Sequence, residues 1–147
     1  MDVPDTPAEL KARALRFLAR REHSRAELSR KLAPHAESAA ALLFLLDELE
    51  KKQQLSDERY AEVRSNWMAR KYGAARIRQD LKAKGVGEEV VARISSTGEL
   101  ERAKAILARK YRDEASTREE KARRMRFLQS RGFSYEIIKK VLSTDDE

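Results

Sequence analysis

Apolar residues in this chain recur at intervals of three and four, in short runs fenced by residues that start or stop helices. That spacing lays side chains along one stripe of an α-helix, whereas a half-buried strand would need strict alternation. Leu10, Ala14, Phe17 and Leu18 form such a stripe. Thr6, Pro7 and Glu9 precede it as N-cap, first-turn residue and reciprocal capping residue. The helix is expected to end near Arg21. Ser24 and Glu27 repeat the capping box ahead of Leu28 and Leu32, and Pro34 stops the second helix. Leu42, Leu45, Leu46 and Leu49 share a face of a third. Leu43 and Phe44 widen that face, so this helix is expected to be the most buried.

The pattern restarts at Ser56 or Asp57, either of which suits an N-cap, with Tyr60, Val63 and Trp67 on one face and Gly73 as breaker. Ile77 and Leu81 mark the next helix and Gly85 suits its left-handed terminator. Val86, Val90, Val91 and Ile94 mark another. After Gly98 it restarts again through Leu100, Ala103, Leu107 and Tyr111. Thr117 and Glu120 then make a further capping box before Met125 and Leu128. Gly132 ends that helix, and Phe133, Ile137, Ile138 and Val141 carry the last. The acidic end Asp145, Asp146, Glu147 is expected to fray.

Three passes of three helices imply internal repetition. Ala69-Arg70-Lys71-Tyr72 returns 39 positions later as Ala108-Arg109-Lys110-Tyr111. Leu81, Gly85, Val86, Val90, Val91 and Ile94 return 47 positions later as Leu128, Gly132, Phe133, Ile137, Ile138 and Val141. The third unit must therefore hold eight extra residues between its first two helices, and Arg112 to Thr117 is the place for them. Leu28 and Leu32 lie 49 positions before Ile77 and Leu81. The expected architecture is all-α: three tandem three-helix repeats, at 1–54, 55–97 and 98–147, in a short, elongated, curved solenoid. Only 5 glycines and 3 prolines are present, too few turn residues for a β-rich fold.

The side chains offer little for catalysis. There is no cysteine, so disulfides, thiolate metal sites and cysteine nucleophiles are excluded. His23 and His35 read as loop residues, and no glycine-rich phosphate loop follows a strand. The adjacent carboxylates Asp57-Glu58, Glu88-Glu89 and Glu119-Glu120 sit near helix starts, where the helix dipole favours them. We expect no enzyme, no metal and no cofactor. The longest apolar run, Ala39 to Leu46, is eight residues, against the roughly 20 that cross a bilayer. The acidic start shows no basic segment before an apolar one, so a cytoplasmic protein without membrane contact is expected.

What remains is positive charge. The formal net charge is +7, which draws phosphate backbones or acidic proteins. Residues 1–54 hold 10 basic and 9 acidic side chains, 55–97 hold 9 and 6, and 98–147 hold 13 and 10. The excess thus lies in the last two repeats. Arg70, Lys71, Arg76, Arg78, Lys82 and Lys84 surround Gly73. Arg109 and Lys110 end the seventh helix, Lys121, Arg123, Arg124 and Arg126 crowd the eighth, and Arg131 closes it. These thirteen are the candidate binding residues. Trp67, Tyr72, Tyr111 and Phe127 stand near them; packing is the commoner use of such rings, and for Trp67 at the i+7 position especially so, with base stacking the alternative.

The order of motifs resembles the RecX family. Arg13-Ala14-Leu15-Arg16-Phe17-Leu18-Ala19-Arg20-Arg21-Glu22-His23-Ser24, with Glu27-Leu28 and Lys31-Leu32, is similar to the opening of those proteins. Leu55-Ser56-Asp57-Glu58-Arg59-Tyr60-Ala61 resembles their central motif. Lys71-Tyr72-Gly73, Arg76-Ile77, Leu81 and Lys84-Gly85-Val86 are similar to the segment beyond that motif, and Arg126-Phe127-Leu128 and Arg131-Gly132-Phe133 to the family's C-terminal end. Gln53 and Gln54 depart from the pattern, standing where the family usually has glycine and an aromatic residue. The resemblance implies a bacterial regulator in DNA repair and homologous recombination. It would bind RecA filaments on single-stranded DNA and limit recombinase and ATPase activity, as a monomer with weak direct DNA binding. A helix-turn-helix-like DNA-binding protein and a helical adaptor with purely solvating charge are the other readings.

Overall fold

The computed structural model describes residues 3–143, and every regular element among them is helical. The acidic end at Asp145, Asp146 and Glu147 lies outside the described residues. The helices are α1 (Pro7–Arg20), α2 (Arg25–Leu32), α3 (Ala39–Lys51), α4 (Asp57–Met68), α5 (Ala74–Ala83), α6 (Glu88–Ala92), α7 (Glu99–Lys110), α8 (Arg118–Ser130) and α9 (Tyr135–Ser143). A 3-10 turn at Ala33–His35 carries Pro34 past the end of α2.

Helix starts follow local chemistry. Thr6 Oγ1 accepts from the Glu9 amide at 3.2 Å, and the Glu9 carboxylate accepts from the Thr6 amide at 3.0 Å, a complete capping box. Ser38, Ser56 and Ser134 each accept one amide hydrogen bond at the starts of α3, α4 and α9. The other two expected boxes are altered. Ser24 caps α2, but the Glu27 carboxylate turns to Arg21, 2.6 Å away, a charged partner that outcompetes a neutral amide. That guanidinium holds the Glu27 carboxyl below its ordinary range. Thr117 caps α8 while Glu120 reaches back to the Ser116 amide, one residue early.

The residues group into two compact units. One comprises the N-terminal residues through Arg64 together with Leu81–Val91; the other comprises Ser65–Asp80 and the residues from Ala92 onward. In the first, Leu10, Ala14, Leu28, Leu32, Leu42, Leu45, Leu46, Leu49 and Leu55 form one buried cluster. Each fully buried leucine contributes about 2 kcal/mol of transfer free energy. In the second, Ala103, Ile106, Leu128, Phe133, Ile138 and Val141 do the same, joining α7, α8 and α9.

Two apolar faces run otherwise than expected. Leu43 is exposed and Phe44 is 73% exposed, because consecutive helical positions lie 100° apart and the stripe of Leu42, Leu45, Leu46 and Leu49 already meets α1 and α2. On α4, Tyr60 is buried as expected, but its buried companions are Ala61 and Met68, while Val63 and Trp67 face out. Ile106, buried at 5% exposure, supplies α7 with a core residue that the expected set lacked.

One junction occurs twice. In the first unit the Ser24 hydroxyl donates to the Lys84 carbonyl at 2.7 Å, and a side chain at Gly85 would collide with Ala26 Cβ at 2.3 Å. In the second unit the Gly73 amide donates to the Arg131 carbonyl at 2.7 Å, and a side chain at Gly132 would collide with Arg76 Cβ at 2.3 Å. Ser24 and Gly73 both precede a second helix of a repeat; Lys84 and Arg131 both end one. The end of one repeat's second helix thus seats on the start of the preceding repeat's. Of the eight extra residues in the third repeat, five fall in the 112–117 loop and three extend α8 backwards, counting from Tyr72–Ala74 and Tyr111–Arg118.

Candidate nucleic-acid interface

The second unit assembles its cations on aromatic rings. The close approach of Gly73 and Gly132 brings the turn after α4 against the end of α8. Tyr72 and Phe127, both half-buried, thereby come onto one surface with Arg131 between them. The Arg131 guanidinium lies 5.5 Å from the Tyr72 ring centre and 5.0 Å from that of Phe127. Arg76 covers Tyr72 at 5.0 Å, and Lys110 covers Phe127 at 4.6 Å. Phe127 in turn meets Tyr111 edge to face at 6.0 Å, and Arg124 covers Tyr111 at 4.6 Å.

A ring face holds a cation in place without neutralising it, at about 0.5–1 kcal/mol per contact near the surface. Backbone carbonyls add to this. Arg76 donates to the Ser130 carbonyl at 2.7 Å, and Arg109 donates to the Arg70 carbonyl. Among the described residues, no carboxylate lies within ion-pair distance of Arg70, Lys71, Arg76, Arg109, Lys110 or Arg131. In the first unit, by contrast, Lys11, Arg13, Arg21, Arg25, Lys52 and Arg59 all contact Asp or Glu. The second unit therefore presents ordered, uncompensated positive charge, which is what a polyanion needs.

Arg78 and Arg124 brace loops instead. Arg78 donates to the Ile94 carbonyl and to Ser96 Oγ, tying α5 to the loop before α7. Arg124 is only 8% exposed and donates to the Asp113 carbonyl, anchoring the 112–117 loop from beneath. Arg123 and Arg126 are exposed on α8, and Lys121 is half-buried and partnered. Lys82 and Lys84 belong to the first unit.

His23 is a loop residue, but a fully buried one. Its Nδ1 is 3.0 Å from the Arg21 carbonyl, and its Nε2 is 2.9 Å from the Lys31 ammonium. A neutral ring with the proton on Nδ1 satisfies both contacts, and burial pushes the pKa down accordingly. Among the described residues no group of His, Asp or Glu is placed to hold a metal ion, and no helix is long and apolar enough to cross a membrane.

Comparison with known proteins gives the family and the fold. Residues 11–41, 56–93 and 98–142 match the family models for the first, second and third three-helix domains of RecX. The chain is 44% identical to the regulatory protein RecX of Ralstonia pickettii (strain 12J), covering 100% of this chain and 94% of that one. It is 42% identical to the regulatory protein RecX of Herbaspirillum seropedicae, covering 97% and 94%. Among solved structures, RecX from Lactobacillus salivarius superposes with a TM-score of 0.84 at 21% identity, over 95% of this chain and 96% of that one.

Proposed function

The chain belongs to the RecX family of regulatory proteins, and on that basis we propose that it binds RecA filaments on single-stranded DNA and limits their recombinase and ATPase activity. The observation that carries the DNA part of this reading is the row of Arg76, Arg131 and Lys110 on Tyr72 and Phe127, with no carboxylate among the described residues to quench it. Phosphodiester oxygens are the complement of such a row, because they release condensed counterions as they are neutralised. The attraction sets position along the strand and reads no base edge. Inhibition arises either from bracing the filament against the motions of its ATPase cycle or from promoting subunit loss.

The direct test adds the purified protein to RecA on single-stranded DNA and follows ATP hydrolysis. Hydrolysis is expected to fall; no change at saturating protein sinks the reading. The triple change Arg76→Gln, Lys110→Gln, Arg131→Gln is expected to weaken co-sedimentation with the filaments. It should also shallow the salt dependence, by roughly one in slope for each phosphate that is no longer neutralised. An unchanged salt slope would reduce the row to a solvating surface. Tight, sequence-selective binding to bare duplex would favour a helix-turn-helix-like reader instead.

A further inference from the structure

The stripe of α3 that meets the core leaves a second stripe beside it. Ala41, Phe44 and Glu48 recur there at intervals of three and four, and they line one side of a groove of about 350 Å³ between α1 and α3. Leu10 and Leu45, both buried, form its floor, and Pro7 stands across from α3 on the other side. Phe44 projects from the groove at 73% exposure. Among the described residues no ring or cation pairs with it. An apolar groove with an aromatic ring standing at its edge has the form of a recognition surface. Its rim is acidic: Asp5, Glu37 and Glu48 border it against one base, Lys11. Asp5 pairs with Arg13 at 2.8 Å, and Glu48 takes both Lys11 at 3.2 Å and Lys52 at 3.0 Å. Glu37 is exposed and has no cationic partner among the described residues. The charge left over at the rim is therefore negative.

We propose that this groove is a docking site for a protein segment that seats an apolar side chain against Phe44 and brings a lysine or arginine to Glu37. Charge complementarity selects that occupant. A nucleic-acid strand would meet three carboxylates and one ammonium already engaged by Glu48. A second copy presenting the same groove would bring two acidic rims together across a two-fold interface. The second unit is endowed the opposite way, with cations held on rings and no carboxylate beside them. The two units thus divide the work: the row takes phosphodiesters, and the groove takes protein. The inference rests on the filament reading above, in which that protein is RecA, and supplies the protein contact that the row does not.

Two exposed positions test this without disturbing the core. Full-length Phe44→Ala and Glu37→Lys are compared with the parent for co-sedimentation with RecA assembled on single-stranded DNA. Each is also titrated with a single-stranded oligothymidylate alone. Phe44→Ala is expected to bind the filaments at least about tenfold more weakly, as loss of an aromatic anchor does, and to bind the oligothymidylate as the parent does. Glu37→Lys should weaken filament binding several-fold at low salt and less at high salt, because rim charges are screened. Undiminished filament binding by either variant, with an unchanged helical spectrum, overturns the proposal and leaves the regulatory reading standing. If Phe44→Ala alters the helical spectrum, Glu37→Lys decides. A matching loss of oligothymidylate affinity overturns the proposal too and assigns the groove to nucleic acid. Concentration-dependent self-association of the parent in sedimentation velocity, abolished by Phe44→Ala, overturns it in favour of a second copy. A parent that does not co-sediment with the filaments sinks the regulatory reading, and the groove's partner with it.

Discussion

Gln53 ends α3 with φ of +61°, the one left-handed non-glycine residue among those described. Its amide donates to the Glu50 carbonyl and the next amide, Gln54, donates to Leu49. Gly85 and Gly132 end α5 and α8 with the same pair of bonds, to Lys82 and Leu81 and to Gln129 and Leu128. All three are Schellman turns. At Gln53, where the family usually has glycine, the side chain carries a conformational penalty that glycine would lack. Gln53→Gly is expected to raise the unfolding free energy by about 0.5–1 kcal/mol, the gain being trimmed by the looser unfolded chain. Gly132 differs because φ of +93° coincides with a close approach: a Cβ there would stand 2.6 Å from the Arg76 backbone nitrogen. Gly132→Ala adds overpacking to the backbone penalty and should lower stability by roughly 3 kcal/mol. Urea unfolding followed by helical ellipticity checks both; a neutral Gly132→Ala would mean the junction is far more compliant than its geometry.

At the scale of elements, the existence and punctuation of the helices were legible, because caps and glycine terminators act within a turn of the chain. Thr6, Ser24 and Thr117 all cap, and Gly85 and Gly132 both terminate. Which stripe of α4 is buried was not legible. Val63 and Trp67 satisfy the helical period as well as Ala61 and Met68 do, and only the neighbouring helices decide between them. The cation–aromatic row was half legible. Basic and aromatic residues cluster visibly near 70–76 and 126–131, but their meeting depends on Gly73 approaching Gly132, 59 positions away. Asp57 was legible only as a helix-start residue, and the role of Glu99 was not legible at all. Asp57 begins α4 yet accepts from the Arg25 amide at the start of α2, at 2.8 Å. Glu99 begins α7 yet accepts from the Ala74 amide at the start of α5, at 2.5 Å. Each first helix thus caps the second helix of the repeat before it. Glu99→Ala leaves a buried amide unpaired and should cost about 1–2 kcal/mol, while Glu99→Gln keeps an acceptor and should recover part of it. Faster hydrogen exchange at Ala74 in Glu99→Ala is the expected signature, and unchanged exchange there would refute the cap.

Across the whole molecule, the repeats that the pattern defines and the units that the packing defines have different boundaries. Periodicity divides the chain near 54 and 97, because each repeat restates the same helical signals. Packing instead groups Leu81–Val91 with the N-terminal residues and Ser65–Asp80 with the C-terminal ones. The reason is the twice-used junction and its cross-cap, which satisfy polar groups of one repeat with atoms of the next. In a fragment of residues 1–54, Ser24 would lose the Lys84 carbonyl and the Arg25 amide would lose Asp57. Leu55, 2% exposed and part of the same core as Leu28 and Leu32, would be gone as well. A fragment of residues 1–93 keeps all three. Two hydrogen bonds at about 1 kcal/mol each amount to roughly 30-fold in the opening equilibrium of α2, before Leu55 is counted. Amide exchange at Leu28 and Leu32 should therefore be at least about 30-fold faster in the shorter fragment. Equal protection in the two would make the first repeat a self-sufficient domain. Markedly greater protection in the longer one makes the array cooperative, each repeat completed by its successor, as nearest-neighbour coupling in repeat proteins requires.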